Sequence, residues 1–416
     1  MSVKPIDTER ILMRNKSVDL EKIAAGIDIS PSLHKYAVDR YNGIANFLND
    51  KGIKASFYSQ GSFRTGTVVR PLRDGVEADF DLDVVCELTS KKEETTEYRV
   101  KNDVGDALKS DETYKKKLLP EDDICWTLQY ADPQDGIGFN LDLVPAVVDV
   151  ERIGHLIEKK VDYRYAQEAI SVTERKSVNR YEWQASNPSG FGLWFDDINE
   201  KFLEYDKQSQ REEIFKKYRD IFQKNATVED IPDYYLRSSL QRAIQLLKRH
   251  RDLYFERVST GKKYRPKSVI ITSLAARIAE NAEPQGLESL LAYITNGLYE
   301  YAVLLKDKKS LPKNTGGSES YIAKNNGEWV ILNPVDPEDN YASDWTDDTA
   351  RAFFEWVKVV KQDLADTLTV NEQAYLTGLQ TSFGKDYVNR QLDIKNTTPT
   401  YKTPERVQTP VKPWGY

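Results

Sequence analysis

Asp79, Asp81 and Asp83 alternate with Phe80, Leu82 and Val84 in the run DFDLDVVCEL. On a strand, residues i and i+2 share a face, so three carboxylates crowd one side while the apolar residues enter a core. Such crowding is costly unless a cation neutralises the carboxylates or water solvates them. Two readings stand at this point: an edge strand with a solvated acidic face, or a seat for divalent ions. A second strand-like run, GFNLDLVPAV, carries Asp142 on the face it shares with Asn140, opposite Phe139, Leu141 and Leu143. Beside the first run in one sheet, Asp142 supplies the further ligand that a two-metal site needs. Two Mg²⁺ ions roughly 3.5 to 4 Å apart clamp the attacking and leaving oxygens of an in-line displacement, and Mg²⁺ takes oxygen ligands.

A third feature precedes both. QGSFRTGT, Gln60 to Thr67, follows the apolar run ASFYS. A Gly-Ser pair at a strand end, here Gly61 and Ser62, lets backbone N–H groups and a hydroxyl approach phosphate oxygens, with Arg64 and Thr67 as further donors. Taken alone, Gly-Ser is equally an ordinary turn. Gly-Ser, then alternating aspartates, then one further aspartate on another strand is far more specific than any part.

The elements that must position these residues are legible as patterns. Residues 30 to 50 have helical spacing with Ser30 as N-cap. Short β-type runs fill about 55 to 150, with a charged, partly helical insert at 88 to 122. Residues 150 to 200 read as irregular, with NPSGFG as a turn. Helical periodicity covers 196 to 223, 232 to 256, 266 to 282, 286 to 306 and 346 to 378. The stretch 307 to 345 reads as a long surface loop, and 385 to 416 as an extended or disordered tail. The expected class is α+β: a mixed-sheet lobe and a helical lobe flanking a central cleft. The expected divisions are 1–54, a helical segment bracing both lobes; 55–195, the catalytic core; 196–384, the helical lobe; and 385–416, the tail.

Composition narrows the function. The 416 residues are 39% hydrophobic and 30% charged, as in ordinary soluble proteins. No apolar run reaches the roughly 18 to 20 residues that span a bilayer, and MSVKPIDTERILMRN is charged where a signal peptide needs an apolar stretch. A cytoplasmic protein without a membrane partner is expected. Lys and Arg number 59 against 66 Asp and Glu, a formal charge of −7, which argues against DNA as an obligatory partner. Cys86, Cys125, His34, His155 and His250 have no zinc-ligand spacing, and Cys86 is expected as a buried thiol.

The Gly61-Ser62, Asp81, Asp83 and Asp142 pattern resembles the polymerase-beta-type nucleotidyltransferases. In that resemblance Asp79 is structural or a supporting group, the pairing of Asp79 with Asp81 remaining the alternative register. Further stretches, WQASNPSGFGLWF, LQRAIQLLKRHRD, KSVIITSLAA and NPVDPEDNYASDW, resemble the bacterial CD-NTases, cyclic-oligonucleotide synthases related to cyclic GMP–AMP synthase and oligoadenylate synthase, over about residues 55 to 350. The resemblance implies Asp81, Asp83 and Asp142 as catalytic metal ligands for two Mg²⁺, with Mn²⁺ as a substitute ion. It implies Gly61, Ser62, Lys248 and Ser268 as nucleotide-binding, with ATP and/or GTP as substrates, and Arg64 joins them as the further donor beside the Gly-Ser turn. It further implies a cyclic di- or trinucleotide product, and antiphage (CBASS) signalling. A regulatory or conjugating partner at the C-terminal tail is the accompanying expectation. On spacing alone, Lys248 is equally one cation of a solvated helix face beside Arg242, Arg249 and Arg251, Ser268 equally a helix cap, and His250 has no carboxylate partner in sequence. The rival functions are a nucleotidyltransferase that tails RNA or modifies a protein, and a catalytically silent nucleotide-binding scaffold.

Overall fold

The computed structural model describes residues 15–70, 72–73, 76–131, 138–205, 207–222, 227–258, 261–306, 320–366 and 371–394. Two helices open it. In α1 (Lys16–Ile27) the residues Leu20, Ile23, Ala24 and Ile27 make one buried stripe. In α2 (Pro31–Asp50) the Ser30 hydroxyl accepts from Leu33 N at 3.2 Å and caps the first turn. The two helices part company. α1 packs into the core of the helical lobe, and α2 into the core beneath the sheet.

The sheet begins with β1 (Ala55–Ser59), whose end passes directly into the one-turn helix α3 (Gly61–Arg64). A small hairpin, β2 (Leu72–Arg73) and β3 (Val76–Glu77), leads to β4 (Phe80–Leu88). Helices α4 (Glu97–Lys109) and α5 (Glu112–Lys115) separate β4 from β5 (Trp126–Tyr130) and β6 (Phe139–Val148). β6 lies parallel to β4 and antiparallel to β5. Because the connection from β4 to β6 passes through helices, the pair can run parallel, in register Asp83 with Asp142 and Asp81 with Asn140.

Alternation does the rest. Phe80, Leu82, Val84, Phe139, Leu141 and Leu143 enter the core shared with α2 and α4, while the aspartates between them turn to the other face.

Residues 150 to 200, expected to be irregular, are ordered: α6 (Val150–Glu158), α7 (Tyr163–Ala166), the hairpin β7 (Ile170–Ser177) and β8 (Arg180–Ser186), then α8 (Pro188–Leu203). β7 extends the sheet on the late residues of β6, so the order is β1-β4-β6-β7-β8 with β5 on the early residues of β6. The NPSGFG turn signal is the start of α8, with the Asn187 carboxamide accepting from Gly190 N at 3.0 Å. α8 runs through the expected boundary at 195/196, and its Trp194, Phe195, Ile198 and Phe202 belong to the helical core.

The helical lobe continues through α9 (Lys207–Lys217), α10 (Ser239–Arg257), α11 (Gly261–Tyr264), α12 (Ser268–Ala279) and α13 (Leu287–Lys306). Of the expected loop at 307–345, residues 320–345 form two hairpins instead. These are β9 (Ala323–Asn325) with β10 (Glu328–Val330), and β11 (Leu332–Asn333) with β12 (Asp336–Asn340). The single helical span expected at 346–378 is two helices, α14 (Asp347–Leu364) and α15 (Glu372–Phe383). The tail expected to be extended from residue 385 starts as a helix, α16 (Lys385–Gln391), which buries Tyr387 and Val388, with Leu392 buried just past its end. The rest of the tail, with the partner handle expected there, lies outside the described residues. Among the described residues no helix is long and apolar enough to cross a membrane.

Candidate active site

A cleft of about 920 Å³ lies where the two lobes meet. Its volume is in the upper range of small-molecule sites. Gly61, Ser62, Asp81, Asp83, Asp142, Lys248 and Ser268, distant in sequence, all line it.

The floor is the aspartate face of β4 and β6. Asn140 Nδ2 donates to Asp81 Oδ1 at 3.2 Å, and the Thr127 hydroxyl donates to Asp142 Oδ1 at 2.5 Å. The Asp83 carboxyl is pushed up to about 7, first by burial, then by the negative charges of Asp142 and Asp81. Asp142 is likewise raised by burial, an effect its bond to Thr127 opposes. Among the described residues no three acidic, His or Cys side chains converge tightly enough to be a ready-made metal cluster. The donor set nevertheless fits divalent ions: three carboxylates on two rigid strands facing one cleft, two of them, Asp83 and Asp142, raised in pKa by burial and then by neighbouring negative charge. Asp79 stands apart. It precedes β4 and accepts from Gly138 N at 2.8 Å, fixing the chain as it enters β6.

Gly61 sits beside Asp83. Its φ is +61°, and a Cβ there would meet Asp83 Oδ2 at 2.6 Å. Gln60 N donates to the Asp83 carbonyl at 2.9 Å, so the Gly-Ser turn is tied to the strand whose carboxylate it faces. Only glycine allows both the positive φ and that approach.

The strap after the turn is held by one face of α10. Gln241 Nε2 donates to Thr65 O at 2.9 Å, Gln245 Nε2 to Val68 O at 2.7 Å, and Arg249 to Arg70 O at 3.0 Å. Lys248 Nζ donates to Thr67 O at 3.1 Å and to Thr67 Oγ1 at 2.8 Å. Lys248 is 2% exposed, which overturns the solvated-face alternative. Burial and the neighbouring Arg251 charge lower its pKa to about 7. Ser268 is the first residue of α12 rather than its cap, and its hydroxyl accepts from Arg251 at 2.9 Å.

Arg64 does not join this group. Its guanidinium forms a two-pronged pair with Asp196, at 2.6 and 3.2 Å, and lies against Gly192. It ties α3 to α8 and is not among the residues lining the cleft, contrary to the phosphate role expected for it. His250, without an evident partner in sequence, is buried between Asp363, at 3.1 Å from Nε2, and Trp356, whose indole N–H donates to Nδ1.

Sequence reasoning missed the far wall. The β11–β12 hairpin brings Asn333, Asp336, Glu338, Asp339 and Tyr341 to the cleft, where Arg152 of α6 pairs with Asp336 and Glu338 across the gap. The signal lay in the quoted run NPVDPEDNYASDW, but nothing in its polar, proline-bearing pattern announced strands.

Residues 55–143 match the family described as cyclic GMP-AMP synthase DncV-like, nucleotidyltransferase domain. The chain is 24% identical over 408 residues to a c-di-GMP synthase of Roseivirga ehrenbergii, covering 94% of this chain and 91% of that protein. It is 26% identical over 271 residues to the cyclic dinucleotide synthase CdnG of Bradyrhizobium diazoefficiens, covering 62% of this chain and 58% of that one. The structure of the Bradyrhizobium diazoefficiens CD-NTase CdnG in complex with GTP superposes with a TM-score of 0.64 at 20% identity, over 91% of this chain and 98% of that chain. At that identity the superposition speaks for the fold, which is the α+β fold of the CD-NTases. The chain is a nucleotidyltransferase whose residues 55–143 are of the DncV-like type, and over nearly its whole length it is similar to bacterial cyclic dinucleotide synthases.

Proposed function

We propose that this enzyme joins ribonucleoside triphosphates, without a template, into a cyclic di- or trinucleotide that serves as a second messenger. The observation that carries the reading is the meeting of Asp81, Asp83 and Asp142 with the Gly61-Ser62 turn on one cleft. The names of the relatives, a c-di-GMP synthase and a cyclic dinucleotide synthase, favour a dinucleotide with GTP among its substrates. Antiphage signalling is the biological setting we assign to the product.

Asp81, Asp83 and Asp142 would hold the divalent ions, Mg²⁺ in the first instance. When bound, those ions neutralise the triphosphate and make the acceptor hydroxyl a better nucleophile. Asn140 and Thr127 hold Asp81 and Asp142 in place. The Ser62 hydroxyl and the N–H groups of the Gly-Ser turn offer donors to phosphate oxygens next to Asp83. Ser268, oriented by Arg251, offers another. Lys248 acts through the strap it holds at Thr67. The acceptor hydroxyl attacks the α-phosphorus and loses its proton to solvent, a P–O bond forms, the bond to the α,β-bridging oxygen breaks and pyrophosphate leaves. The protein's share is positioning and charge stabilisation. A second transfer within the linear product closes the ring.

The test is product analysis. Purified protein is incubated with the four ribonucleoside triphosphates and Mg²⁺, treated with phosphatase and examined by mass spectrometry. A phosphatase-resistant cyclic di- or trinucleotide is expected. Formation of only linear products, or transfer solely to added RNA or protein, would contradict the reading.

A further inference from the structure

The cations of the cleft are not equivalent. Seven carboxylates and four cationic side chains line it, so a triphosphate entering it meets an acidic environment overall. Three of the four cations are already committed. Arg152 is taken by Asp336 and Glu338. Lys248 is buried on Thr67. Arg251, its side chain 7% exposed, gives Nε and a terminal nitrogen to Asp252 Oδ1, at 2.8 and 2.7 Å, and another to Pro266 O and Ser268 Oγ.

Arg265 differs. Its side chain is 47% exposed, and its ion pair is a long one, 3.7 Å to Asp252 Oδ1, the oxygen that Arg251 already occupies. One carboxylate thus faces two guanidiniums, and Arg265 carries the surplus positive charge. It stands three residues before the N-terminus of α12, whose N-cap residue Lys267 places no side chain on the helix's first N–H groups. Ser268 and Val269, the first two residues of that helix, line the cleft with it. A guanidinium with free donors, a hydroxyl fixed by Arg251 and an uncapped helix terminus together fit a phosphate dianion.

We propose that Arg265 recognises the terminal phosphate of the donor nucleotide, with Arg251 as a positioning residue that presents Ser268. The proposal rests on the nucleotidyltransfer reading and deepens it, because it makes Arg265 the side chain that separates triphosphates from diphosphates. The buried cations set the cleft's shape, and the exposed one at its rim meets the phosphate furthest from the reacting α-phosphorus.

The experiment is calorimetric titration, in Mg²⁺, of a GTP analogue with a methylene α,β-bridge and of GDP. Wild type, Arg265→Ala and Arg265→Lys are compared. Thermal melts check that the substitutions of this half-exposed residue leave the fold intact. Wild type is expected to prefer the triphosphate. Arg265→Ala is expected to bind it about ten- to a hundredfold more weakly, as for loss of a charged hydrogen bond. GDP binding should change little, and Arg265→Lys should fall between. Equal triphosphate affinity in wild type and Arg265→Ala, or equal losses for the two ligands, would overturn the proposal alone. A wild type that binds neither nucleotide would overturn the nucleotidyltransfer reading and this proposal with it.

Discussion

Gly61 is the residue where conformation and chemistry meet most closely, since its positive φ and its contact with Asp83 both exclude a side chain. Gly61→Ala is expected to lower the turnover rate by about a hundredfold, the cost of displacing a reacting group by about 1 Å, as a nucleotide-dependent pyrophosphate-release assay would register. His34 offers a test of stability at the same scale. It is buried in stacks with Phe63 and Tyr234, its Nδ1 has no partner, and burial followed by the Arg237 charge lowers its pKa from 6.5 to about 4. The unfolded chain therefore binds the proton more tightly than the folded one. The stability this contributes is whole above pH 6.5 and is lost as the pH falls towards 4. His34→Phe should leave the melting temperature nearly unchanged at pH 7.5 and raise it relative to wild type at pH 5; parallel melting curves at the two pH values would contradict this. The alternation of aspartates with apolar residues was legible because a strand's period of two is written directly in the sequence. Arg64 was misjudged for a different reason. Its partner, Asp196, is 132 positions away, and no local pattern signals which of two anions, a carboxylate or a phosphate, an arginine will meet.

At the scale of elements, α10 is the piece that carries the site into the helical lobe. Positions 241, 245, 248 and 249 lie on one helical face, and each donates to a backbone carbonyl of the strap at 65–70. Gln245 is fully buried, so Gln245→Leu leaves the Val68 carbonyl without its donor. A loss of about 1 to 3 kcal/mol in denaturant unfolding is expected, with reduced activity; a variant as stable and active as wild type would show that the strap does not need the clamp. The helix itself was legible from its 3.6-residue spacing. Its grip on the strap was not, because buried Gln, Lys and Arg read from sequence as a solvent-facing stripe. The β11–β12 hairpin was missed for a related reason: its strands, LN and DPEDN, lack apolar alternation. Side chains hold it instead, with the Asn340 carboxamide accepting from Ile331 N and Ala342 N. α16 hid in a polar context, and its helix is secured by Tyr387 donating to Ile23 O of α1 at 2.7 Å, a contact 364 positions apart in sequence.

The two largest cores lie in different lobes that meet at one cleft, and Arg152 of α6 links the lobes through Asp336 and Glu338. Its side chain is 14% exposed and that of Asp336 4%, so removing it leaves Asp336 as a buried, unpaired charge. Arg152→Ala is expected to cost about 3 to 5 kcal/mol, read from denaturant midpoints, whereas Glu338→Gln, at a half-exposed position, should cost less than about 1 kcal/mol. Similar small effects for both would mean that this junction does not hold the lobes together. The bilobal layout was legible from the switch between β-type and helical periodicity; the surfaces that join the lobes, made of long-range pairs between polar residues, were not. The central claim, that Asp81, Asp83 and Asp142 on this cleft perform nucleotidyl transfer, is tested most directly by pyrophosphate release. Wild type and an Asp81→Asn, Asp83→Asn double variant are compared with ribonucleoside triphosphates and Mg²⁺, alongside their thermal melts. The account predicts release by the wild type and none above background by a variant that remains folded. Release by the folded double variant at the wild-type rate would contradict it.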